Sequence, residues 1–181
     1  MTTSARRLHF AEDRDRRHQG NMTATDAPRR GIPMGSIDED SIHTLVHGFY
    51  GKVMADPDLA AIFGREIEKH EWPAHLDKMC AFWSSVLLRS GRYEGRPMRP
   101  HLIIVGIEDL HFERWLTLFA ETARQVFDEA DANGVIATAE RIGHNFRLAR
   151  AQNRGLDSTR MEMIRAEPDG PREPAVWTPP Q

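Results

Sequence analysis

The chain has 181 residues, 40% of them hydrophobic, and a formal net charge of -3. That length and apolar fraction suit one globular domain with a true core, and the slightly acidic balance excludes the basic footprint of a nucleic-acid binder. A single cysteine, Cys80, excludes an internal disulfide framework and a cysteine-rich zinc site, and is in keeping with a reducing compartment.

Residues 1–35 read as a disordered N-terminal extension, because "ARRLHFAEDRDRRHQG" mixes arginines with acids and "TATDAPRRGIPMG" is rich in turn formers. Glu12, Asp13 and Asp15, scattered among the arginines, argue against a transit peptide. The ordered domain is expected over 36–155. "SIDE" has the form of a capping box, with Ser36 as N-cap and Glu39 reaching back. Ile42, Leu45, Val46, Phe49 and Val53 then recur at helical spacing. In "DPDLAAIFG", Asp56 can cap, Pro57 suits the first helical position, and Gly64 can end a short helix. Trp72, Leu76, Met79, Phe82, Trp83 and Val86 form the stripe of a helix over about 71–89.

Between 91 and 107, Gly91, Gly95, Pro97, Pro100 and Gly106 exclude a long continuous helix. "EDLHFERWLTLFAETARQVF" and "NGVIATAERIGHNFRLARAQ" are two further long helices, with Phe112, Trp115, Phe119 and Val126 on one side of the first and Ile136, Ala139, Ile142 and Phe146 on one side of the second. Residues 156–181 read as a Pro-rich, solvated tail. Both extensions look too polar to join the core. The pattern predicts an all-α fold of four major helices and one long connection. The longest apolar runs fall far short of the roughly 20 residues that span a bilayer, and no signal-type stretch opens the chain, so a soluble, cytoplasmic protein with no membrane association is expected.

Long connections in compact domains are often functional, and this one carries His101, placed after Pro100 and before the apolar "LII". Tyr50 and His75 fall on or beside apolar stripes, and Trp115 lies on the inner face of its helix. A buried tyrosine or tryptophan needs a partner for its polar atom. Singly, each has an ordinary structural reading, and a lone histidine on an apolar face is more often hydrogen-bonded packing than a ligand. His111 reads as a capping or surface residue; His43, His47, His70 and His144 read as solvent or packing residues. Cys80, between Met79 and Phe82, reads as a small buried hydrophobe. A phosphate loop, H-E-x-x-H and G-x-S-x-G are all absent from the sequence.

Taken together, "FYGKVMADPDLAAIF", "EWPAHLDKMCAFWSSVLL", "GRYEGRPMRPHL" and "HFERWLTLF" resemble, in order and spacing, the group III truncated haemoglobins. The resemblance runs from about Ile37 to Arg154. It implies a two-over-two helical sandwich, with the proximal helix mostly loop, and a non-covalently held haem b. By the same resemblance His101 is the proximal iron ligand, a role suited to neutral imidazole. Tyr50, Trp115 and His75 match distal-pocket positions, with His75 on the ligand side. Phe63 matches the phenylalanine wedged against the porphyrin. Phe49, Leu76, Met79 and Phe82 match haem-contacting or pocket positions, and Trp83 a core position. Arg96 and Arg99 flank His101 and are candidate propionate partners.

The implied function is oxygen binding, with nitric oxide, carbon monoxide and peroxide as further ligands, in a monomer. An oxygen bound to ferrous haem carries partial negative charge, which donors such as the Tyr50 O–H and Trp115 N–H stabilise. The alternative is a haem-dependent redox enzyme, a nitric oxide dioxygenase or a peroxidase-like protein. Such turnover needs an external reductase, because the sequence has no flavin or nicotinamide domain. A cofactor-free helical interaction module is the rival from another class, and Tyr50, His75, His101 and Trp115 in family order argue against it.

Overall fold

The computed structural model describes residues 37–166. The expected disorder of 1–35, the proposed cap at Ser36 and the Pro-rich end beyond 166 lie outside the described residues. Six helices form, in the order α1 (Glu39–Ala55), α2 (Pro57–Glu66), α3 (Trp72–Leu88), α4 (Met98–Ile103), α5 (Asp109–Val126) and α6 (Glu129–Asn153). Among the described residues there is no strand, and no helix is long and apolar enough to cross a membrane.

Local chemistry sets the helix ends. The box that starts α1 is not Ser36 with Glu39. It is Asp38 with Ser41: the Ser41 backbone N–H donates to the Asp38 carboxylate at 2.7 Å, and the Asp38 N–H donates to the Ser41 hydroxyl at 2.9 Å. The same acceptor chemistry recurs two residues later, and Glu39 is freed to accept from the Ser84 hydroxyl at 2.6 Å. Asp56 and Pro57 start α2 as their types dictate, with the Leu59 N–H donating to Asp56 at 3.1 Å. Gly64 does not end that helix, which continues to Glu66. Its backbone stays helical and the space around it is open, so nothing requires a stop there. α6 starts one turn ahead of "NGVIATAER", because Asp128 accepts from the Asp131 N–H at 2.9 Å and caps it.

The helices pack as two antiparallel pairs, α1 with α3 and α5 with α6, joined through α1 against α5. The antiparallel sense follows from the contacts. Glu39 at the start of α1 meets Ser84 near the end of α3, and Asp109 at the start of α5 pairs with Arg147 near the end of α6. Ile42, Leu45, Val46, Phe49, Leu116, Phe119 and Val135 are fully buried between the layers. Trp83 stacks on Phe119 at 4.7 Å. Burying each such side chain is worth roughly 1.5–3 kcal/mol.

The chain after 155 departs from expectation. Ile164 packs on the core, and Ala166 is buried in it. Glu140 of α6 is 2% exposed, and its carboxylate accepts from Arg165 at 2.9 Å and from the Ala166 N–H at 2.8 Å. Arg147 donates to the Glu162 carbonyl at 2.7 Å. A buried carboxylate needs such partners, so a domain boundary at 155 falls short of this contact.

Candidate functional site

α3 packs on α1, whereas α4 packs on α6. Between them a cavity of about 380 Å³ opens, lined by Phe82 and Val86 of α3, Pro97 and Met98 at the start of α4, and Ile142 and Phe146 of α6, among others. Small-molecule and cofactor sites measure about 300–1,000 Å³ and are mostly apolar. The α3 stripe of Trp72, His75, Leu76, Met79, Phe82 and Val86 is half-buried along its whole length, while only Trp83 and Ser84 of that helix are buried. α4 buries no residue. Apolar side chains here wall a cleft rather than fill a helix–helix interface.

On one side of the site, rings from four helices converge. Tyr50 of α1 meets Phe63 of α2 at 5.9 Å and Trp72 and His75 of α3 at 6.0 and 5.3 Å. His75 stands edge-on to Trp72 at 5.5 Å. Phe49 touches Tyr50 at 4.9 Å and Trp115 of α5 at 5.3 Å, and so joins Trp115 to the cluster. Burial pushes the Tyr50 phenol well above its ordinary range, with no other cause, so its O–H stays a donor. Burial first, then Lys78 and His101, pushes His75 down to about 4, so its imidazole is neutral. The His75 Nε2 is buried and has no hydrogen-bond partner among the described residues, a condition that costs about 1–3 kcal/mol unless a ligand meets it.

His101 sits on α4, one turn past Pro97 and Met98 of the cavity lining. The sequence reading made this segment mostly loop, but it forms a helix of six residues. Pro100 is tolerated because it stands in the first turn, where backbone N–H groups lack intrahelical partners anyway. The Pro97 carbonyl accepts from the His101 Nδ1–H at 2.7 Å. That bond fixes the tautomer and leaves Nε2 as the nitrogen available to a metal, the arrangement that metal-ligating histidines use. Burial holds the imidazole below its usual range, so it is neutral, as a ligand must be. Phe146 of α6 stacks on the ring at 4.0 Å.

A group 3 truncated haemoglobin of Campylobacter jejuni is 36% identical over 113 residues, 61% of this chain and 89% of that protein. The chain belongs to the group III truncated haemoglobins. The crystal structure of a group III truncated haemoglobin from Campylobacter jejuni matches this globin with a TM-score of 0.61 at 31% identity, covering 72% of this chain and 100% of the other. No family model matches the sequence. The family implies haem, and the residues here fit one: a neutral imidazole oriented through Nδ1, an apolar cavity, and a second histidine whose buried Nε2 has no partner among the described residues.

Of the residues singled out by sequence, Tyr50, Phe63, His75, Phe49 and Trp115 come together in the globin as one ring cluster. Leu76 and Met79 pack on the core beside it, and Phe82 lines the cavity. Arg96 and Arg99 do not join them. Both are exposed, as Arg141 is, and neither lines the cavity. Arg141 does line it, with its guanidinium donating to Thr138 at 2.9 Å. Sequence reasoning missed Arg141, and it read Phe146 only as part of an apolar face. His111 is the capping residue expected, its Nδ1 accepting from the Glu108 N–H at 3.0 Å. His43 and His47 stack on the surface at 4.0 Å. His144 buries its Nδ1 without a partner among the described residues. Burial pushes the Cys80 thiol up, which fits an inert side chain.

Proposed function

We propose that this globin holds haem b in the cleft between α3 and α4, with His101 as the axial ligand, and binds oxygen on the face lined by Tyr50, His75 and Trp115. The observation that carries the reading is the His101 ring, neutral and fixed through its Nδ1–H to the Pro97 carbonyl at 2.7 Å. Bound haem would supply an iron able to take a diatomic gas. The protein's own residues then do the sorting. Tyr50 keeps its proton and offers it to a partly anionic ligand. The Trp115 indole, held in ring contacts with Phe49 and Phe119 at 5.3 Å, is a second donor. Apolar walls exclude water and strengthen both interactions. Neutral His75 can accept or donate without adding a fixed charge. Arg141, at the cavity wall, is the better candidate for a propionate partner than Arg96 or Arg99.

Hydrogen bonds to charged groups are worth about 1.5–3 kcal/mol, and about 1.4 kcal/mol is a factor of ten. Tyr50→Phe or Trp115→Phe should therefore release oxygen roughly ten- to a hundredfold faster, while carbon monoxide, which carries little charge when bound, changes much less. Stopped-flow dissociation of both gases tests this. Wild-type oxygen release from both variants would remove the oxygen-clamp reading and favour donors that polarise peroxide.

A further inference from the structure

Arg150 of α6 is 8% exposed. Among the described residues its guanidinium has no carboxylate partner. It donates instead to three backbone carbonyls of one segment: Nη1 to those of His101 and Ile104, and Nη2 to that of Ile107 at 3.0 Å. Burying a guanidinium without a counter-charge is costly, and every acceptor it finds belongs to the end of α4 or the turn that follows.

α4 needs that help. A helix shorter than about 12–15 residues is marginal on its own in water. α4 has six residues, no side-chain cap bond at its N-terminus and no buried residue. Its last carbonyls lack intrahelical donors, and the negative end of the helix dipole favours a cation there. The Arg150 side chain meets both needs from another helix. Phe146, one turn earlier on α6, stacks on the His101 ring. One face of α6 thus grips His101 by its ring and by its carbonyl.

From this geometry we infer that Arg150 is the positioning residue for the axial histidine, fixing through the His101, Ile104 and Ile107 carbonyls the height and tilt at which the imidazole meets a haem iron. The inference rests on His101 being that ligand. Arg150 acts through those three carbonyls alone. Its effect appears in the iron–histidine bond and in how long haem is retained.

The test uses the full haem-loaded chain and three variants: Arg150→Met, Arg150→Lys and, as a control, Arg147→Met. Arg147 is as buried as Arg150 but pairs with Asp109 and the Glu162 carbonyl, away from α4. In the reduced protein, resonance Raman should show the iron–histidine stretching band shifted or broadened in both Arg150 variants. Haem transfer to an acceptor globin should be on the order of ten- to a hundredfold faster in Arg150→Met. Arg147→Met should lower the melting temperature yet leave the band in place. An unmoved band and a wild-type rate of haem loss in Arg150→Met overturn the inference. Should Arg150→Met fail to fold, an unmoved band in Arg150→Lys, which cannot span three carbonyls, does the same. Absence of the band from the wild-type protein, or its persistence in His101→Ala, would instead overturn the assignment of His101 on which the inference stands.

Discussion

On one wall of the proposed haem site, Tyr50, Phe63, Trp72, His75 and Trp115 come from four helices of ten residues or more and join through ring contacts of about 5–6 Å, Trp115 by way of Phe49. On the other, one imidazole rides on a helix of six residues, none of them fully buried. The first wall shares its packing with the core through Phe49, so its shape is a by-product of the fold's stability. The second is held by single long-range attachments from α6, namely Phe146 to the ring and Arg150 to the carbonyls. The wall proposed to face the gas should therefore fail only when the protein unfolds. The wall proposed to face the iron can lose its geometry while the rest stays folded.

The contrast breaks most sharply at two phenylalanines. Phe49 is fully buried, with edge contacts to Tyr50, Trp115 and Phe119. Phe49→Ala should cost about 3–5 kcal/mol, seen as a lower denaturant midpoint. Phe146 is half-buried. Phe146→Ala should cost clearly less stability but speed haem loss more per kcal/mol of stability lost. Equal ratios of haem loss to destabilisation in the two variants would erase the distinction between the walls.

α6 also anchors the chain beyond 155, and truncation there sharpens the comparison. Ending the chain at Gly155 strips Glu140 of both partners and Arg147 of one. An unpartnered buried group costs about 1–3 kcal/mol, so calorimetry should record a melting temperature lower by roughly 2–12 °C. An unchanged value would show that this segment merely rests on the globin.

The smallest effect is one of pH. His75 falls to about 4 from an ordinary 6.5 because burial disfavours its charged form. Its unfolded form therefore binds a proton that the folded form refuses. The corresponding stability is complete above pH 6.5 and is lost as pH falls towards 4. His75→Leu should flatten that part of the acid slope in a pH series of unfolding curves. An identical slope in variant and wild type would place the charge change elsewhere.

Sequence legibility follows the same division. The long helices were readable because each carries an apolar stripe at helical spacing and, in Asp56–Pro57, a start signal that acts within four residues. Tyr50, His75 and Trp115 were readable because they lie on or beside those stripes. α4 was not, because what stabilises it lies 49 residues away at Arg150, while its own prolines and glycine-rich approach signal a loop. Nothing in the sequence singles out Glu140 for the same reason, its partners lying 25 and 26 residues on. Arg96 and Arg99 flank His101 along the chain, whereas Arg141, which lines the cavity, comes from α6. Attachments between distant residues leave no periodic trace.

His101 itself offers the most direct measurement. The absorption spectrum of the purified protein, as isolated, reduced and oxygenated, should be that of a histidine-ligated haem globin, five-coordinate when reduced and free of gas. His101→Ala should lose most of its haem or show an altered reduced spectrum that added imidazole restores. A His101→Ala protein that keeps haem with the wild-type five-coordinate ferrous spectrum would contradict the account and move the iron to His75 or His111.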